Sequence, residues 1–513
     1  MNKDYDIVVI GGGHNGLTAA TLLAKGGKSV LLLEKRDILG GIAAGEEFSP
    51  GYSTIGLLHD TSEVRHKVIK ELKLETYGLS FKTSRPLVSI LGKNKEVLHL
   101  SSDLEMAVSE IAKFSQKDAE AYREYRAFIN KISPFINKLM DESPPDLMNL
   151  GTGQLWQLAK KGIALKKLGK KTMLEFLKVA PMSVADFLNE KFETDFIKAG
   201  IAAPAIFGSY TGPWSSYTTL NLLLHECAAQ TTINGGPESL ISALKKASEA
   251  SGVDIKTNSE VNRILLDDDR MVTGVQLESG EMIAASIVVS SCTPRRTFYE
   301  FLLPNQLDFH LENGIKNYRT RGTTAKVNIA LNTKIVLNGE TEMKFVRTGN
   351  SFDEMERAFD SVKYREFSKE PVLDIHLSSH DDSEIPSGHS VASVLVHFAP
   401  HHFDQGWSAE TKKELLNATL RTLELYSADL SNSIVATEVL SPVDLENRYG
   451  LSFGHIFHGE HAIDQLITRP IPSCANYKTP LSGLYLCGSG SHPGGGITCM
   501  PGYLSAKAIL KNN

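Results

Sequence analysis

Residues 7–10 (IVVI) form an apolar run with no polar position, and it ends directly in three glycines. A short run of this kind, rich in β-branched residues, predicts a strand buried on both faces, as in a parallel sheet. Residues 17–24 (LTAATLLA) read as a helix, and residues 29–33 (SVLLL) as a second buried strand that ends at Glu34. The chain therefore opens with a βαβ unit. Related patterns return much later. Residues 237–250 predict a helix, VDIKT a strand, and residues 260–277 two strands joined by an Asp-rich turn; SIVVSS (286–291) is another buried strand. Residues 483–488 (GLYLCG) predict a buried strand entering a glycine-rich turn. The last helix then starts near Pro501, with a shorter turn at Ile497. Residues 323–332 (TTAKVNIALN) alternate like a half-buried strand with Lys326, Asn328 and Ala330 on one face.

Composition narrows the class. At 513 residues the chain is too long for one simple core and should divide into two or three domains. A net charge of -6 argues against a general nucleic-acid binder. No apolar run approaches the ~18 residues of a membrane span. The first strand begins at Tyr5, which leaves no room for a cleavable signal peptide, so cytoplasmic residence is expected. Cys227, Cys292, Cys474, Cys487 and Cys499 form no CxxC pair, which removes the redox-disulfide signature and argues against a structural zinc site. An odd count of cysteines suits a reducing compartment.

The glycines after the first strand carry the first chemical signal. Gly11, Gly13 and Gly16 stand in GxGxxG spacing between strand and helix, where they allow a tight turn, close approach of a pyrophosphate, and tight helix–strand packing. The helix N-terminus adds free N–H groups and a partial positive charge. Glu34 ends the second strand roughly 20 residues on, where a carboxylate can bond ribose hydroxyls. Gly11, Gly12, Gly13, His14, Asn15, Gly16, Glu34 and Lys35 are thus candidate dinucleotide contacts. Gly40 and Gly41 let backbone pass close to an extended cofactor.

Taken together, GGGHNGL, EKRDILGG and the terminal LYLCGSGSHPGGG…PGY…AKAIL resemble the phytoene desaturase-like FAD oxidoreductases. The branch they resemble is the one labelled pyridine nucleotide-disulphide oxidoreductase domain-containing protein, which NGGPESLISAL (234–244) and IFHGEHAIDQL (456–466) also resemble. The missing CxxC does not match the disulphide part of that label. The resemblance spans nearly the whole chain. It implies an α/β architecture in which a discontinuous Rossmann-like FAD domain (1–80, 225–300, 475–513) carries an inserted α+β substrate domain (81–224, 301–474). It also implies that the C-terminal turn completes the flavin site through Gly488, Ser489, Pro493, Gly495, Gly496 and Ile497, with residues 494–496 as a flat bed for the isoalloxazine. Val261 would offer its backbone to the adenine. Two features depart from the family. Cys487, Gly488, Ser489 and Gly490 stand where an aspartate is common, and Ile42 follows Gly41 where related oxidases have arginine.

The implied activity is hydride transfer between flavin N5 and an apolar isoprenoid, polyene or lipid-like substrate, as in desaturases and saturases. No second dinucleotide fingerprint exists, so the acceptor expected is oxygen or a quinone rather than a nicotinamide. Flavin-dependent isomerisation, amine oxidation and a non-catalytic prenyl or lipid carrier are the alternatives on this scaffold. Lys326 could approach flavin N5, and His492, within the glycine turn, could shape the pocket or act as acid or base. Cys499 could lie near the ring. His455, His458 and His461 have metal-like spacing, but the flanking glycines oppose a helix and no metal is expected. Seven lysines between 160 and 178, with Trp156 and a face of Leu158, Leu165 and Leu168, predict a basic amphipathic helix (156–178) for peripheral membrane contact.

Overall fold

The computed structural model describes residues 4–146, 148, 151–229, 231–380 and 385–512. The opening apolar run is the strand Tyr5–Ile10, and it lies parallel between Val30–Leu33 and Met282–Ser290. The seven-stranded sheet runs in the order Val261–Leu266, Val272–Leu277, Met282–Ser290, Tyr5–Ile10, Val30–Leu33, Asp254–Lys256; Leu484–Leu486 also pairs parallel with Met282–Ser290. In this register Val8 stands opposite Val288 and Leu31, and Ser290 opposite Leu486. Both faces of the sheet are covered. On one, Ile7, Val9 and Leu32 pack with Leu17, Leu240 and Tyr503; on the other, Val8 and Leu31 pack with Ile264, Phe298 and Leu484.

Three helices, His14–Lys25, Gly236–Ala250 and Met500–Asn512, share the first of these faces. The first and last meet at Gly502, where an added Cβ would lie 2.1 Å from the Asn15 carbonyl oxygen.

A second seven-stranded sheet runs Ile434–Leu440, Thr324–Leu331, Ser390–His397, Leu373–Ser379, Phe345–Thr348, Val88–Leu91, Val97–Leu100, antiparallel except where Phe345–Thr348 meets Val88–Leu91. The strand with Lys326 corrects the half-buried expectation, because all eight of its residues are buried. It lies between two neighbours with both faces covered, so the alternation of polar side chains records internal hydrogen bonding and not solvent. Asn328 Nδ2 donates to Glu438 Oε2 at 2.8 Å and its Oδ1 accepts from Ser393 Oγ at 2.9 Å. Helices Gln116–Asp141, Asp195–Ile206 and Thr218–Ala228 form a helical layer with its own core, including Tyr125, Ile197 and Leu222.

The expected single basic helix is two, Thr152–Lys166 and Lys170–Val179, broken where Gly169 takes φ +85°. The expected apolar face also divides: Leu165 and Leu168 pack on the helical core, whereas Leu155, Trp156, Leu158 and Ile163 remain exposed. No described helix is long and apolar enough to cross a membrane.

Candidate functional site

The glycine turn sits where Tyr5–Ile10 delivers the chain to its first helix. Gly11 has φ +97°, and a Cβ there would fall 2.5 Å from Ser291 Oγ. A Cβ on Gly16 would fall 1.9 Å from the Gly11 carbonyl oxygen, so this position must be glycine for the helix to seat on the strand. Gly13 differs. A Cβ there would meet only the Gly40 carbonyl oxygen, at 3.9 Å, and Gly13 lines a cavity. Gly12 N donates to Glu34 Oε2 at 2.7 Å and Arg36 N to Oε1 at 3.0 Å, which fixes the carboxylate at the mouth of the turn. Each of its oxygens keeps a lone pair for a hydroxyl donor. Gly40 N donates to the Gly12 carbonyl at 2.9 Å, bringing the two glycine turns together.

Of the residues singled out in the sequence, Gly11, Gly13, His14, Asn15, Glu34, Lys35, Gly41, Val261 and Ser489 line this cavity. Gly12, Gly16 and Gly40 shape it from behind. Gly488 does the same at the other terminus, since a Cβ there would lie 2.4 Å from the Ser291 carbonyl oxygen. Asn15 joins the two ends of the chain: its Nδ2 donates to Ser489 Oγ at 3.2 Å and its Oδ1 accepts from Gly502 N at 3.4 Å. His14 hydrogen-bonds the Gly496 backbone, and burial pushes its imidazole down to about 4, so it is neutral. Its Nε2 has no partner among the described residues, nor does Arg36 Nη1 in the same cavity. An open glycine, a helix N-terminus, a glutamate set for hydroxyls and two unpartnered buried nitrogens fit a dinucleotide cofactor. Among the lining residues that the sequence did not single out are Arg36, Tyr449 and Arg296. Arg36 stands over the Tyr449 ring at 5.1 Å, and Arg296 pairs with Glu260 at 2.7 Å. Arg36 directly follows Glu34 and Lys35, a position that could have signalled it; Tyr449 and Arg296 carry no local motif.

A larger cavity adjoins the first where His14 meets Gly496. Pro493, Gly495, Gly496 and Ile497 line it, opposite apolar groups such as Leu58, Phe207, Phe345 and Leu395. Residues 494–496 lack side chains for a reason visible on their protein side. Added Cβ atoms would fall 2.8 Å from Arg469 Nη1 at Gly494, 2.3 Å from Phe457 Cβ at Gly495 and 2.6 Å from Glu63 Oε2 at Gly496. These glycines therefore make room for protein groups, while the backbone of Gly495 and Gly496 borders the cavity.

Lys326 stands behind the lining, 1% exposed, with Nζ donating to the Leu57 carbonyl at 3.1 Å. Burial lowers its ammonium pKa to about 7 against the opposing pull of Asp374 and Glu438. His492 lines neither cavity; its ring bonds the Leu139 carbonyl at 3.1 Å. Cys499 is also outside both linings, with its thiol pushed up to about 12 by burial. The three spaced histidines separate: His458 lines the first cavity, His461 the second, and His455 neither. Among the described residues no cluster of three or more His, Cys, Asp or Glu could hold a metal.

The larger cavity also contains a polar group that no sequence motif announced. His59 Nε2 lies 3.2 Å from Asp374 Oδ1, and Arg347 Nε donates to Asp374 Oδ2 at 3.2 Å. Burial opposes ionisation of Asp374, but Arg347 and the His59 hydrogen bond override it and hold the carboxyl far below its usual range. Burial lowers the His59 pKa as well, so its imidazole is neutral. Nearby, His225 Nδ1 and Glu63 Oε1 are 2.9 Å apart. His59 and Glu63 lie more than a hundred positions from His225, Arg347 and Asp374, which is why spacing could not reveal these pairs.

A two-ended glycine cradle beside a large, mostly apolar chamber defines a flavoprotein oxidoreductase. The profile of the flavin containing amine oxidoreductases matches residues 16–507, and the chain belongs to that family. Its relatives include pyridine nucleotide-disulfide oxidoreductase domain-containing protein 2 of Rattus norvegicus, 28% identical over all of this chain and 94% of that protein. A limonene dehydrogenase component from Castellaniella defragrans is 29% identical over 99% of this chain and 95% of its own. Phytoene desaturase of Neurospora crassa is 24% identical over 96% of this chain and 82% of its own. Among solved structures, an oxidoreductase from Methanosarcina mazei superposes with a TM-score of 0.58 at 17% identity, covering 98% of this chain and 99% of that one. The protein is an FAD oxidoreductase, and phytoene desaturase is among its relatives.

Proposed function

We propose that this protein transfers a hydride to or from an apolar, isoprenoid, polyene or lipid-like substrate held in the larger cavity. The observation that supports the reading is the hydrogen bond between His14 and the Gly496 backbone, which joins the wall of the glycine cradle to that of a chamber lined by Leu58, Phe207, Phe345 and Leu395. FAD supplies the two-electron chemistry when bound. In this reading Gly13 and the helix start at His14 receive the pyrophosphate, Glu34 the ribose hydroxyls, and the Val261 backbone the adenine. The turn of Pro493 to Ile497 borders the reacting end. Lys326 holds the Leu57 carbonyl, and so the wall that carries Leu58 and His59, in place. The relatives named for limonene, a terpene, and phytoene, a polyene, support an apolar skeleton. The acceptor is oxygen or a membrane-carried quinone.

The test begins with the purified protein, which should show flavin absorbance near ~450 nm. Anaerobic photoreduction follows, with terpenoid, polyene and amine compounds and then acceptors screened for spectral change. Turnover of amines alone, with no response to apolar compounds, would replace this reading by amine oxidation.

A further inference from the structure

One face of the second sheet floors the larger cavity. Phe345 and Arg347 alternate with the core residue Val346 along Phe345–Thr348; Asp374 stands opposite Arg347 on the next strand, and Leu395 opposite Asp374 on the one beyond. Phe345, Arg347, Asp374 and Leu395 all line the cavity. The strand of Arg347 is paired along both edges and Val346 holds its other face in the core. The exposed part of Arg347, 15% of its side chain, therefore opens toward the cavity. Its Nε donates to Asp374 Oδ2 at 3.2 Å. Nη1 and Nη2 have no partner among the described residues, and neither is wholly buried. Arg65, which lines the same cavity, differs: Nε bonds Asp141, Nη2 Asn137 and Nη1 the Ala228 carbonyl. Arg347 thus offers the chamber two adjacent donors on a planar, cationic fork. A hydrocarbon would leave both unmet, and an ammonium group would be repelled. A hydroxyl offers one oxygen; a carboxylate offers two, in the geometry that the fork matches. The protein's own anions do not fill the place, because Asp374 also receives His59 and Glu63 is held by His225. Lys326, whose pKa burial lowers to about 7, stands opposite Leu395 on the same sheet and can take up a proton to balance an added negative charge.

We propose that Arg347 is the head-group site of the chamber and receives, through Nη1 and Nη2, the carboxylate of an acid-ended apolar molecule such as a fatty or polyene acid. The proposal rests on the larger cavity being the substrate site, and it adds the polar end that the apolar walls alone do not specify.

Fluorescence titration of the full-length protein with cis-parinaric acid and its methyl ester compares a charged and a neutral head group on one polyene chain. FAD content is measured separately from the visible spectrum. The acid is expected to bind about tenfold more tightly than the ester, the effect of hydrogen bonding to a charged group. In Arg347→Leu that preference should collapse to within about twofold, while the ester binds as before. Arg347→Lys, which keeps the charge but not the fork, should retain part of it. Asp374→Asn removes the carboxylate that competes for the guanidinium, so it should tighten the acid several-fold and leave the ester unchanged, a gain that damage to the fold would not produce. Circular dichroism on each variant establishes that it is folded. Equal affinities for acid and ester in the wild-type protein, or no saturable binding of the acid, would each overturn the proposal. So would an acid preference that survives Arg347→Leu, which would place the acid on the lysine-rich surface instead. An acid preference that Arg347→Leu abolishes, in a protein that takes up no FAD, would overturn the oxidoreductase reading and leave the head-group assignment standing.

Discussion

Gly13 and Gly16 stand three positions apart in one motif, yet the structure gives them opposite tasks. Gly16 is glycine because protein stands against it, and Gly13 because space does. Gly16→Ala should therefore destabilise the fold by about 1–3 kcal/mol, the usual cost of forcing a methyl into packed surroundings, seen as a lower denaturant midpoint. Gly13→Ala should leave the FAD-free protein as stable as before but weaken FAD binding by about tenfold or more, read by flavin fluorescence quenching. Equal loss of stability in both would contradict this division. Lys326 gives a second contrast, because its polar side chain lies in a fully buried strand. Its pKa of about 7 in the fold is below the ordinary 10.5, so between those values the unfolded chain holds a proton that the folded chain has released. Stability contributed at this site accordingly rises with pH across that window, by at most ~1.4 kcal/mol per pH unit, and is lowest below about pH 7. Lys326→Met should remove the penalty, so its stability advantage over the wild type is greatest near pH 6 and closes toward pH 10. Urea melts across that range measure it.

Secondary structure around the first sheet is legible in the sequence because each element carries its own period and stop. The strand Tyr5–Ile10, the helix Gly236–Ala250 and the strand Leu484–Leu486 fall within a few residues of their expected positions. The strand Thr324–Leu331 lies where the pattern predicts it but differs in exposure, since alternation cannot distinguish a solvent face from an internal polar network. The single basic helix fails for a different reason: the lysine pattern continues across Gly169, whereas the backbone turns there with positive φ. The cavity residues His59, Asp374 and Arg347 are unreadable from sequence, because their proximity depends on sheet topology. One element outweighs its length. The helix Met500–Asn512 touches the first helix through Gly502, and Asn15 bonds both Gly502 N and Ser489 Oγ. Gly502→Val should push the two helices apart and disturb Asn15 as well, costing about 1–3 kcal/mol of stability and FAD affinity together. Added FAD should partly restore the melting temperature, since a ligand that binds only the folded state stabilises it.

Across the whole chain, the two termini lie side by side, and the glycine clusters near each end are explained by that meeting. The same connectivity places the lysine-rich helices beside the larger cavity. Met140 lines that cavity, Asp141 next to it accepts from Arg65 Nε at 2.8 Å, and Glu142 pairs with Lys161 on the exposed helix Thr152–Lys166. That helix buries none of its residues, and Leu155, Trp156 and Ile163 stand exposed among cationic side chains. In our proposal this surface rests on an anionic membrane, and an apolar substrate or quinone dissolved there reaches the chamber without crossing water. The attraction would combine buried apolar area with charge, so each part can be removed separately. Flotation with phosphatidylserine-containing vesicles should recover the protein in the lipid fraction at about 0.1 M salt. Raising salt to about 1 M shortens the screening length from ~10 to ~3 Å and should release most of it. Leu155→Ser with Trp156→Ser should weaken flotation at low salt, while flavin content and the melting temperature stay unchanged because neither side chain packs on the core. If vesicles of neutral lipid capture the protein equally well, or the double variant floats like the wild type, this face is a solvated helix and the substrate reaches the chamber by another route.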